Sequence, residues 1–75
     1  MIYLEIKNNT STNIVPINNI ETFLIENDYI TLKMKSTNYN FIGKNDIVIG
    51  NDSFANESKS LSYDDVCKWL IKKMK

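Results

Sequence analysis

Arginine and histidine are absent from this 75-residue chain, cysteine, proline and tryptophan occur once each, and glycine twice. Without Arg the chain lacks the best bidentate reader of guanine and phosphate. Its nine cations are all Lys and are balanced by nine acids, giving a net charge of zero. That balance argues against a double-stranded nucleic-acid binder, whose affinity rests on neutralising phosphates. Having no His and a single Cys excludes a protein-only zinc site within one chain and His-based acid–base chemistry. Cys67 cannot form an internal disulfide, so a reducing, cytoplasmic location is the expectation.

No apolar run approaches membrane-spanning length, and no membrane partner is expected. The opening residues Met1 to Lys7 alternate apolar and polar with an early acid, the pattern of a strand rather than of a signal peptide. Asn-x-Ser/Thr sequons at Asn8, Asn9, Asn51 and Asn56 are chance products of a chain with 11 Asn. Heavy use of Ile, Lys and Asn suggests an AT-rich genome, such as that of a low-GC bacterium or its phage.

The strongest positive signal is Ile20 to Lys35, two apolar-alternating runs folded on a two-residue turn at Asn27-Asp28. Such a turn sets Ile25 opposite Ile30 and gathers Phe23, Ile25, Ile30, Leu32 and Met34 on one face. Thr22, Leu24, Glu26, Tyr29, Thr31, Lys33 and Lys35 take the other face, as in a sheet covered on one side. Before this hairpin, Ile2, Leu4 and Ile6 mark a half-buried first strand. Asn8 to Asn13 is a polar loop, and Ile14 to Ile17 with Pro16 suits a sheet edge or an extended lead-in. Beyond it, Tyr39 to Ile42 and Ile47 to Ile49 are short strands separated by a turn at Gly43 to Asp46. Gly50 to Leu61 is polar and expected to be loop.

A C-terminal helix is announced by Ser62 as N-cap, with Asp64 and Asp65 in its first turn and Lys72, Lys73 and Lys75 at its end. Tyr63, Val66, Cys67, Leu70, Ile71 and Met74 form one apolar stripe, expected to lie on Ile2, Leu4, Phe23, Ile25, Leu32 and Met34. The expected architecture is a single α+β domain over residues 1–75: an antiparallel meander of four or five strands with one helix packed on one face.

Functional candidates fall on two surfaces. Trp69 stands off the apolar stripe beside Lys72 and Lys73, which points either to a partner contact or to a ring folded over the sheet edge. Phe54, alone in a polar stretch, either pins its loop to the sheet or is an exposed contact residue. The open sheet face, with Tyr3, Tyr29, Lys33, Lys35 and Tyr39, mixes rings and amines that could stack bases and hold phosphates, although Glu5, Glu26 and Leu24 share it. Cys67 lies in the apolar stripe with no His to activate it, as an inert thiol would. Asp46, Asn51, Asp52 and Glu57 lack the spacing of an EF-hand and fit turn chemistry.

The opening Met1-Ile-Tyr-Leu, the run Asn18 to Phe23, the strand Ile30-Thr31-Leu32 and the helix from Asp64 to Ile71 resemble the small FlbD-like proteins associated with bacterial flagellar operons. The likeness covers about half the chain. It implies a meander plus helix and no particular function. The chain departs from that family in lacking an Asn-Gly turn after the first strand and in inserting roughly Gly43 to Leu61.

Taken together, the chain is expected to be a non-catalytic binding or inhibitor protein of phage or mobile-element accessory type, with no cofactor. It would dock onto a host protein through Trp69, Phe54, Lys72 and Lys73, and form a homo-oligomer. The alternatives are an oligomer sequestering a nucleotide-type anionic ligand through Tyr3, Tyr29, Lys33 and Lys35, or a structural subunit of a larger assembly.

Overall fold

A computed structural model describes residues 1–74; the role expected for Lys75 at the helix end lies outside the described residues. The α+β class holds, with more strands than the sequence pattern suggests. Among the described residues seven strands, β1 (Ile2–Lys7), β2 (Thr12–Pro16), β3 (Ile20–Ile25), β4 (Tyr29–Met34), β5 (Tyr39–Gly43), β6 (Ile47–Asp52) and β7 (Glu57–Leu61), precede helix α1 (Tyr63–Lys73). A 3-10 turn at Ile17–Asn19 links β2 to β3. One antiparallel sheet has the order β2-β1-β6-β7 and the other is the meander β3-β4-β5.

The stretch expected to be loop, Gly50 to Leu61, instead completes β6 and supplies all of β7. Gly50 interrupts the apolar signal of β6, and β7 carries only Leu61 as a large apolar residue. Its place at the sheet edge explains that composition, because edge strands tolerate Ser and Lys that a central strand would not. Pro16 likewise ends an edge strand, where its missing N–H costs no ladder bond.

In the central hairpin the expected register is observed: Ile25 faces Ile30, Phe23 faces Leu32, and the Glu26 amide donates to the Tyr29 carbonyl at 2.9 Å. The register then shifts at Glu21, so that Ile20 rather than Glu21 stands opposite Met34. This bulge turns Ile20 into the core and leaves Glu21 outside, where it pairs with Lys33 at 3.2 Å. A regular ladder would have set a carboxylate on the apolar face.

The inner faces of both sheets meet in one core. Leu4, Ile6, Val15 and Val48 from the first sheet pack with Ile20, Ile30, Leu32, Met34 and Ile42 from the second. Val66 and Leu70 of α1 close it. Ser62 caps the helix as expected, its hydroxyl accepting from the Asp65 amide at 3.2 Å. The rotation of α1 differs from the expected stripe: Ile71 is exposed and Trp69 packs against the core instead. At about 100° per residue the two lie on opposite flanks of the Val66–Leu70 line, and the flank of Trp69 is the one that meets β6 and β7.

The register makes a direct prediction. Leu32 is fully buried, whereas Leu24, on the next rung of the ladder and so on the opposite face, is 59% exposed. Leu32→Ala should cost about 2–5 kcal/mol in urea unfolding, and Leu24→Ala no more than about 0.5 kcal/mol. A comparable loss at both positions would contradict the assignment of faces.

Candidate functional site

The β6–β7 hairpin closes on the pair Asp52 and Glu57, leaving a four-residue loop from 53 to 56. Asp52 organises that loop. Its Oδ1 accepts from the amides of Phe54 and Ala55 at 3.1 and 3.2 Å, and its Oδ2 accepts from Lys73 Nζ at 2.7 Å. Asn56 completes the reversal in a left-handed conformation, φ 51°, which Asn adopts more readily than most residues. The Lys73 ammonium, and after it the Ala55 amide, hold the Asp52 carboxyl below the usual carboxylate range. At the tip of this tied loop the Phe54 ring is 86% exposed. It does not pin the loop to the sheet.

Trp69 is half-buried and roofs the same hairpin. A Cβ added at Gly50 would meet Trp69 Nε1 at 3.0 Å and Leu61 Cδ1 at 3.0 Å, so the indole occupies the space that a side chain at 50 would need. Lys73 lies 5.9 Å from the ring centroid, within cation–π reach, while its ammonium holds Asp52. Between helix and hairpin runs a narrow cleft of about 100 Å³, lined by Gly50, Asp52, Glu57 and Lys59 below and by Trp69, Lys72 and Lys73 above. The four residues expected to bind a partner therefore belong to one unit, with distinct surroundings. Phe54 and Lys72 are accessible, Trp69 is a roof, and Lys73 is engaged with Asp52.

The aromatic-basic set is divided between the sheets. Tyr29 and Lys33 lie on the outer face of β4, with Lys35 just beyond the strand. Tyr3 lies on β1 in the other sheet, opposite Pro16 and Asn51. Lys33 already pairs with Glu21, and the Glu26 carboxylate raises the pKa of the Tyr29 phenol. The sequence reading overlooked Phe41, which stands opposite Thr31, its ring 6.4 Å from that of Tyr29 at a 59° tilt. The alternation Tyr39-x-Phe41, extended across the β4 pairing, is the signal that would have found it.

The remaining polar candidates have local duties. Asp46 Oδ2 accepts from the Gly43 amide at 2.8 Å within its turn. Burial, with the Asp64 carboxylate adding to it, pushes the Cys67 thiol up, so little thiolate forms at neutral pH. Among the described residues no helix is long and apolar enough to cross a membrane.

Two measurements follow. Gly50→Ala should cost about 1–3 kcal/mol through overpacking and shift Trp69 emission to the red as the ring is pushed toward water; an unchanged spectrum would show that the indole is not seated on Gly50. Asp52 has a folded pKa below its ordinary value near 3.8, so its stabilising contribution is present above that value and lost as pH falls through the folded one. The urea midpoint of the native protein should therefore drop further between about pH 6 and about pH 2 than that of Asp52→Asn. Parallel pH curves for the two would contradict the role given to Asp52. No family model matches this chain, and no curated protein or solved structure is significantly similar to it.

Proposed function

We propose that this chain is a small non-catalytic binding protein that docks onto a partner protein through the β6–β7 tip, with Phe54 as its anchor. The observation that supports this most is the exposure of the Phe54 ring on a loop whose backbone is already held by Asp52. A large aromatic left in water contributes nothing to the fold. Aromatics of this kind dominate the energetics of interfaces when a partner pocket takes them in. A loop ordered beforehand loses little further entropy on binding, so more of the ring's burial appears as affinity. Lys72, exposed on the neighbouring helix end, supplies a rim charge suited to orientation rather than to affinity. Such docking acts by covering a surface of the partner, the mode of an inhibitor or accessory protein.

A photo-crosslinking amino acid at position 54, introduced in the source cells, should yield one discrete adduct, and the same probe at exposed Asn9 should not. With that partner purified, Phe54→Ala should weaken binding by about 2 kcal/mol or roughly 30-fold with no change in Tm. Identical adduct patterns from positions 54 and 9, or full affinity in Phe54→Ala, would contradict the proposal.

A further inference from the structure

The outer face of β3-β4-β5 belongs to a different sheet from the β6–β7 tip and carries four exposed large apolar residues. Leu24, Tyr39 and Phe41 are 59%, 55% and 58% exposed, and Tyr29 adjoins Phe41. The ladder places them around Thr31: Leu24 beside it on β3, Phe41 beside it on β5, Tyr29 two places along β4. Contiguous apolar patches of this kind mark interaction sites, unlike single exposed residues.

The charges around the patch indicate what covers it. At the hairpin-turn end stand the acids Glu26 and Asp28 with Lys44, a net negative end. At the opposite end stand Lys33 and Lys35 with Glu21, a net positive end. A face with an apolar middle and ends of opposite sign is complementary to itself when turned end for end. We propose that a second copy of this chain packs face to face on this sheet, with the β4 strands antiparallel across a two-fold axis. Each acidic end then lies over the partner's basic end, and every contact occurs twice. A parallel seating would set like ends together and is disfavoured by the same charges.

The size of the face sets the strength of the dimer. Three strands about 4.8 Å apart and about 20 Å long cover roughly 300 Å², well short of the roughly 800 Å² per partner of a standard stable interface. The dimer is therefore a weak, reversible one. It is independent of the docking role given to Phe54.

Sedimentation equilibrium of the full chain from about 10 µM to about 1 mM tests the proposal. The native protein should move from monomer to dimer over that range, and Phe41→Asp should remain monomeric. Should Phe41→Asp fail to give a native circular dichroism spectrum, Leu24→Asp serves in its place. Glu26→Lys and Lys35→Glu should each weaken the dimer by about 3- to 10-fold. The double exchange Glu26→Lys/Lys35→Glu should restore it toward the native value, because the ends are again opposite in sign. A monomer at every concentration, or self-association that persists in Phe41→Asp, would overturn the proposal. A double exchange no tighter than the single variants would overturn the antiparallel seating.

Discussion

Helix α1 reaches the core by lying across β6 and β7, and the missing side chain at Gly50 leaves the space in which Trp69 lies. With the indole seated there, Val66 and Leu70 are carried into the gap between the two sheets, where both are fully buried. The same placement brings Lys73 onto Asp52, and Asp52 in turn holds the amides of the hairpin tip. Packing at one end of this chain of contacts and loop order at the other are thus connected by a single carboxylate. A substitution that lifts the helix acts on the core and on the tip together.

The topology adds a second constraint. Two local hairpins, β1-β2 and β6-β7, sit at opposite ends of the chain and become one sheet only when β1 pairs with β6, from Ile2 with Asp52 to Lys7 with Ile47. That pairing closes a loop containing the whole β3-β4-β5 meander, so its entropy must be met before the shared core repays it. The meander needs only short turns and can form first, presenting Ile30, Leu32 and Ile42 as the surface on which the late sheet condenses.

What the sequence made legible follows from how locally each feature is encoded. The β3–β4 register could be read because a two-residue turn and strict alternation leave one solution, and the helix start because Ser62, Asp64 and Asp65 are local signals. The bulge at Glu21 could not, since it is decided by which of Ile20 and Glu21 the distant core accepts. β7 was hidden because an edge strand under a Lys- and Trp-bearing helix flank needs no apolar alternation. The exchange of Ile71 for Trp69 depends on which flank of α1 meets β6 and β7, and that is settled by tertiary placement alone. Of the residues singled out as functional, Trp69, Lys72, Lys73 and Phe54 fall on one unit, whereas Tyr3 falls on a different sheet from Tyr29 and Lys33.

The two open aromatic surfaces differ in kind. One is a single ring on a tied loop, suited to a pocket in another protein. The other is a flat, end-for-end complementary face, suited to a second copy. The claim on which the functional account turns is that the β6–β7 tip is ordered before any partner arrives. Backbone 15N relaxation of the free protein measures this at the Phe54 and Ala55 amides. The account predicts order parameters near the rigid-backbone value of about 0.85, falling in Asp52→Asn. Values below about 0.6 in the native protein would show a loop not held by Asp52 and would contradict it.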